Sequence, residues 1–292
     1  MTYAIVIATV GRARTLDATV RALATSSPPP HEIILSCSSE ADVLPATRAL
    51  GCVRVVMGPR GLPGQRNRGV DASDPALDWI SFFDDDTVSR PDAFAEMGAF
   101  LNGRPDVIAA SGTVLADGAG AGGLDRSLAL SLLTADEAEH PVPPRTFTAG
   151  LPLYGCNMHV RRQAFETVRF DDRLPGYAWL EDRDFSHRVA ALGVVGRFSG
   201  SRVVHLGTPS GRQPGLRLGY AQVVNPLYFW RRTGSFTALE ALALAGKLTV
   251  RNLYGALRTD PLVDRAGRLH GNLLGLRDAL RGRLDPERMT RL

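Results

Sequence analysis

The feature that most restricts the fold is an alternation in the first hundred residues. Strand-like runs (YAIVIAT, residues 3–9; EIILS, 32–36; VRVVM, 53–57; WISFF, 79–83) are separated by helical patterns over about residues 15–25, 42–50 and 64–72. Short β-rich runs spaced by ten-residue helical segments predict a parallel sheet with helices on both faces. In such sheets ligands sit at the carboxyl ends of the strands. The fourth run ends directly in Asp84, Asp85 and Asp86. Neighbouring carboxylates repel by about 3 kcal/mol per pair at roughly 6 Å and an effective dielectric of about 20. A solvated loop is the plain way to tolerate this. A divalent cation would hold all three groups ionised.

If strand geometry persists past Phe83, Asp84 and Asp86 share one face and Asp85 takes the other. An Asp-x-Asp pair at a strand end suits Mn²⁺ or Mg²⁺, which keep coordination positions open for substrate phosphates. A second acidic stretch is PGYAWLEDRDFSHRVAALG, residues 175–193. Phe185, Val189 and Leu192 follow helical spacing, so a helix is predicted from near Glu181 to Gly193. Carboxylates on its first turn complement the helix dipole, and they are also suited to a general base. His205 follows a strand-like RVV, as a packing residue or as a third metal position. Arg212 beyond it is suited to a diphosphate oxygen.

Residues 110–144 lose periodicity and accumulate Gly and Pro, which predicts a long mobile excursion. TFTAGLPLYGCNMHV then reads as strand and RRQAFETV as helix. After His205 the chain becomes helical in pattern and basic: 14 Arg plus Lys stand against 6 Asp plus Glu, within a net charge of +4 for the whole. Lys247 is the single lysine, so much of that charge reflects a general use of arginine. We place a boundary near residue 208, with an α/β domain over 1–208 and a basic helical extension over 209–292. A hydrophobic fraction of 44% argues against disorder. No apolar run reaches the ~20 residues that cross a bilayer. Cys37, Cys52 and Cys156 match no zinc spacing and no signal-like segment precedes the first strand, so a reducing, cytoplasmic setting is expected.

Taken in order, ATVGR (Thr9, Arg12), GLPGQRNRGV (Arg66, Asn67), FFDDD, the stretch from Tyr154 to Gly193 and His205 resemble the family-2 glycosyltransferases, over about residues 3–212. The resemblance implies the GT-A fold: a Rossmann-like, mostly parallel sheet flanked by helices, here with a C-terminal helical extension. It implies inverting, metal-dependent transfer from a nucleoside-diphosphate sugar to an acceptor hydroxyl, with Mn²⁺ or Mg²⁺ as cofactor. Thr9, Arg12, Ser38, Arg66, Asp84 and Asp85 would bind the donor, Asp84 at the ribose. Asp86 and His205 would hold the metal and Asp182 would be the base, with Glu181, Trp179 and Asn157 at the acceptor.

One departure matters. After the second strand the family usually carries paired acids that contact the nucleobase, and here Cys37 and Ser38 stand in their place. A serine offers hydrogen bonds but no charge, so the base stays open. A sugar nucleotidyltransferase would add a Gly-rich phosphate loop and a lysine for the triphosphate; this chain has TVGRART and no lysine before Lys247. A non-catalytic nucleotide-sugar-binding module is a further alternative, against which stands the presence of all the expected acids. The acceptor would be a glycan, a lipid-linked species or a small molecule. No nucleic-acid motif accompanies the basic extension. Tyr228, Phe229 and Trp230, with Arg231, Arg232 and Arg251, either pack inward or rest peripherally on the inner face of a membrane.

Overall fold

The apolar run Tyr3–Ala8 forms strand β1, with Tyr3, Ala4, Ile5, Val6 and Ile7 all buried, as expected for a strand covered on both faces. The computed structural model describes residues 1–120, 122–208, 214–258 and 263–292. From β1 the chain continues through α1 (Ala13–Ala24), β2 (Glu32–Cys37), α2 (Pro45–Arg48), β3 (Val53–Met57), α3 (Leu62–Ala72) and β4 (Trp79–Asp84). Then follow β5 (Thr87–Ser89), α4 (Ala93–Gly103), β6 (Val107–Asp117), α5 (Arg126–Glu139), β7 (Phe147–Ala149) and β8 (Asn157–Arg161). The remainder is α6 (Glu181–Val189), β9 (Val194–His205), α7 (Gly215–Arg232), α8 (Ala238–Ala256) and α9 (Arg265–Leu280).

Among the described residues the strands form one sheet in the order β3-β2-β1-β4-β8-β6-β9-β5, with β7 paired onto β9. β3, β2, β1 and β4 run parallel. β8 is antiparallel to both β4 and β6, β9 is parallel to β6, and β5 is antiparallel to β9. The fold class read from the alternation is the one observed, an α/β sheet flanked by helices, parallel over β3-β2-β1-β4 and mixed beyond it. After β1 the chain winds outward through β2 and β3, then returns to place β4 on the other side of β1. That reversal opens the crevice in which α/β sheets bind ligands, at the carboxyl ends of β1 and β4. Ala8 and Asp84 are register partners there, so Thr9 and Asp85 emerge side by side.

The chain divides into two compact units: Met1–Arg60, Gly64–Phe170 and Phe185–Gly211 form one, and Gly61–Pro63, Asp171–Asp184 and Arg212–Leu292 the other. In the first, Ile5 and Ile7 of β1 face one apolar layer with Leu16, Val20, Phe94 and Met97. Val6 faces the opposite layer with Ile34, Ile80, Phe82, Phe165 and Phe185, as period-two alternation requires. Burying each such side chain contributes on the order of 2 kcal/mol.

Three expectations are corrected here. Residues 110–144 are not an irregular excursion, because β6 runs on to Asp117 and α5 occupies Arg126–Glu139. The Leu, Ala and Glu of α5 are strong helix formers, and Ala129 with Leu133 supplies a buried i, i+4 pair. The helix is also tethered by the buried Arg90, which bonds Asp136 Oδ2 at 3.0 Å and the His140 carbonyl at 3.1 Å while its other nitrogens grip Asp92. The run 146–160 is two strands separated by a loop, and RRQAFETV is a short 3-10 segment over Arg162–Glu166. The helix at Glu181 closes at Val189, short of Gly193.

The second unit is built on α7, α8 and α9. A Cβ on Gly219 would lie 2.0 Å from the Arg268 carbonyl oxygen, and one on Gly271 2.0 Å from that of Leu216, so α7 and α9 cross with their backbones nearly touching. Gln222, Asn252 and Asn272 satisfy one another between the three helices. Tyr228 and Phe229 are buried with Leu227, Phe236 and Ala241. Of the two readings given for this stretch, Tyr228 and Phe229 take the inward-packing one, since their rings fill this core.

Candidate active site

β4 ends at Asp84, and the chain turns through Asp85 and Asp86 into β5, whose Thr87 is the register partner of His205 on β9. That antiparallel pairing carries a histidine distant in sequence to the carboxylates. His205 Nε2 lies 3.3 Å from Asp86 Oδ1 and 3.7 Å from Asp84 Oδ2. One ligand atom from each of the three residues falls within 4.8 Å of the others, the spacing of donors around one ion. Asp85 faces away from this group. Its Oδ2 accepts from Thr9 Oγ1 at 2.6 Å, and Arg12 Nη1 sits 3.3 Å from its Oδ1 while reaching Asp86 Oδ2 at 3.1 Å. Asp86 Oδ2 also accepts from the Thr208 amide at 2.7 Å.

Burial and charge separate these groups. Asp86 is penalised by burial, but His205, Arg12 and the Thr208 amide outweigh that and bring it down to about 2. For Asp85 burial wins over Arg12 and Thr9, and its pKa is pushed up to about 7. Burial disfavours the charged imidazole of His205, yet hydrogen bonds to Asp117 and Asp86 and the charge of Asp84 push it up to about 10. A proton on His205 thus balances charge that a cation would balance in its place, with release of that proton. Two carboxylates and one imidazole suit Mn²⁺, and the donor set fits.

Asp117, at the end of β6, escaped sequence reasoning. Its Oδ1 accepts from His205 Nδ1 at 2.9 Å and from the Ala119 amide at 2.8 Å, and its Oδ2 accepts from the Tyr154 hydroxyl. Its own burial is outweighed by these bonds, which hold the carboxyl well below its usual range. A carboxylate on the far nitrogen of a metal-binding imidazole fixes ring and tautomer. Asp42 was missed as well. Its carboxylate accepts from the amides of Gly11 (2.7 Å), Ser38 (2.9 Å) and Ser39 (2.8 Å) and from Ser38 Oγ at 3.2 Å. Burial opposes its charge, but the amide bonds prevail and lower its pKa. The loops after β1 and β2 are therefore pinned together by one acid, with Gly11 at φ +70, where glycine is favoured. Ser39-x-x-Asp42 is a local capping box that could have marked Asp42; its bond to Gly11 and that of Asp117 to His205 come only with the strand order.

Arg66 is buried on α3, with Nη2 donating to the Gly155 carbonyl at 2.8 Å and lying 3.4 Å from Asp84 Oδ1. Asn67 exchanges two hydrogen bonds with the Phe170 backbone, a structural clasp. Asn157 is fully buried on β8 with Oδ1 2.9 Å from His159 Nε2. Arg212 lies outside the described residues.

The acidic turn belongs to the second unit up to Asp184. Glu181 is buried and Asp182 is half-buried, with Asp182 Oδ1 accepting from the Arg183 amide at 2.8 Å. Asp184 is fully buried and accepts from Thr233 Oγ1 at 2.5 Å and Ser235 Oγ at 3.0 Å. Half-buried Trp179 lies between Ala178 (φ 50) and Leu180 (φ 71), two non-glycine residues in the left-handed region. Such backbone costs roughly 1–3 kcal/mol each and concentrates at functional sites. The Trp179 carbonyl accepts from Asn225 Nδ2 at 2.8 Å.

Residues 4–168 match the family described as Glycosyl transferase family 2. Solved structures share the fold at low identity. Glucosyl-3-phosphoglycerate synthase from Mycobacterium tuberculosis, in complex with Mn²⁺, UDP and glucosyl-3-phosphoglycerate, is 18% identical with a TM-score of 0.50, covering 79% of each chain. GalNAc-T7 with UDP, GalNAc and Mn²⁺ is 16% identical with a TM-score of 0.53; the match covers 84% of this chain and 54% of that one. S. aureus TarS 1-349 is 14% identical with a TM-score of 0.52, over 97% and 92% of the two chains. A sequence search of curated proteins returned no match.

Proposed function

The chain belongs to glycosyl transferase family 2, and from that premise we propose that it moves a sugar from a nucleoside-diphosphate donor to an acceptor hydroxyl with inversion at the anomeric carbon. The observation that carries this reading is the convergence of Asp84, Asp86 and His205 beside the β1–β4 crevice. The UDP and Mn²⁺ held by two of the similar structures support a nucleoside diphosphate and Mn²⁺ here. Bound by these three residues, the cation would stabilise charge developing on the departing diphosphate. Asp84, the most exposed of the three acids, would also meet the donor ribose. Arg12 and Arg66 would supply positive charge to the diphosphate, with Arg12 held by buried Asp85, which in turn accepts from Thr9. Ser38, on the loop that Asp42 ties down, would face the nucleobase.

Asp182 is the proposed general base, and Glu181 and Trp179 the acceptor contacts. The strained backbone on either side of Trp179 supports a functional load on that turn. Residues 1–208 act in this reading as the transferase domain and 209–292 as its extension, in the cytoplasm. Calorimetry of UDP, GDP, CDP and dTDP with Mn²⁺, repeated with EDTA, tests the reading. It expects one nucleotide to bind in a metal-dependent way and its sugar conjugates to be turned over. Absence of metal-dependent binding for all four would contradict it.

A further inference from the structure

Helix α8 presents a continuous apolar face to solvent. Leu239, Leu242, Val250, Leu253 and Leu257 are exposed at spacings of three, four or multiples of a turn, with side-chain-free Gly246 between Leu242 and Val250 and Tyr254 beside them. Leu239 and Leu257 are 78% exposed and Tyr254 70%, so these are fully presented side chains. The opposite face, with Ala241, Ala245 and Asn252, is buried. From Ala241 to Arg258 the chain holds no acid, and Lys247, Arg251 and Arg258 are all exposed. The one acid of α8, Glu240, is occupied at the first turn by Thr237 and Arg183.

We propose that this face is a peripheral docking surface for an anionic lipid bilayer, with α8 lying in the headgroup plane. A continuous apolar stripe bordered by cations and lacking acids is the pattern of an interfacial helix, and tyrosine is favoured at that depth. The charge complements anionic headgroups. None of the described helices is long and apolar enough to cross a membrane, so the contact is along the surface. A second copy of the chain fits less well. Antiparallel self-pairing about the middle of α8 sets Lys247 against its own counterpart, a like-charge contact on the symmetry axis. The surface does not involve Tyr228 or Phe229, and it stands or falls apart from the transferase reading.

The test is sedimentation of the full chain with phosphatidylcholine vesicles containing about 30% phosphatidylglycerol, against phosphatidylcholine alone, at low salt and at about 0.5 M salt. Binding is expected to the anionic vesicles only, weakened at least about tenfold by salt. Leu242→Glu and Val250→Glu each abolish it with an unchanged thermal melt, and Lys247→Ser with Arg251→Ser weakens it. A Tyr254→Trp variant reports depth by a blue shift of its emission on adding anionic vesicles. The proposal is overturned if the unaltered chain stays in the supernatant, if Leu242→Glu binds as well as the unaltered chain, or if Trp emission does not move. It is equally overturned if ultracentrifugation shows a dimer that Leu242→Glu dissolves while vesicles are ignored.

Discussion

His205 Nδ1 donates to Asp117 Oδ1 at 2.9 Å, and this single bond turns Nε2 toward Asp84 and Asp86. Asp117 acts through the imidazole as a positioning residue. Asp117→Asn keeps the fold but lowers Mn²⁺ affinity by about 10- to 100-fold, the usual cost of losing an orienting carboxylate. Titration of Mn²⁺ followed by electron paramagnetic resonance measures this. Equal affinity in the two proteins would remove Asp117 from the account.

Asp182 is half-buried on the first turn of α6, beside the fully buried Asp184. The two acids should behave differently. Asp182→Asn lowers turnover about 10²-fold or more while leaving donor affinity intact, as expected for a missing general base. Asp184→Asn instead lowers thermal stability, because its carboxylate is committed to Thr233 and Ser235. Normal turnover in Asp182→Asn would exclude it as the base.

A buried chain of hydrogen bonds gives the protein an acid limit. Trp79 Nε1 donates to Ser81 Oγ at 3.0 Å, Ser81 donates to His159 Nδ1 at 2.8 Å, and His159 Nε2 donates to Asn157 Oδ1 at 2.9 Å. Both imidazole nitrogens are used in the neutral form, and burial brings the His159 pKa down to about 3. An unfolded imidazole takes its proton near 6.5, the folded one only near 3. The contribution is therefore present above about pH 6.5 and is lost as pH falls toward 3, at up to about 1.4 kcal/mol per pH unit. Urea denaturation from pH 7 to pH 4 should show this slope, and His159→Gln should flatten it. Identical pH profiles would contradict the assignment.

What the sequence discloses and what it hides divide along physical lines. The alternation of β1 to β4 with α1 to α3 is legible because local hydrophobic period decides it. Asp84 and Asp86 are legible because they end a buried strand, and His205 because it ends another. The roles of Asp42 and Asp117 are not, since the contacts that tie them to the site, with the Gly11 amide and the His205 imidazole, are reached only through strand order. α5 is obscured by the glycines before it, and its tether to Arg90 is a tertiary contact with no local signature. The inward packing of Tyr228 and Phe229, and the outward face of α8, are settled by which side of each helix meets its neighbours. Periodicity alone does not rank one apolar face against another.

The central claim is that Asp84, Asp86 and His205 hold a divalent cation for a nucleoside diphosphate. The most direct measurement is calorimetric binding of UDP in the presence and absence of Mn²⁺, extended to GDP, CDP and dTDP, for the unaltered chain and for Asp86→Ala. The account predicts that one diphosphate binds only with Mn²⁺ and that Asp86→Ala loses this binding while melting as a folded protein. Metal-dependent affinity unchanged in Asp86→Ala would contradict it.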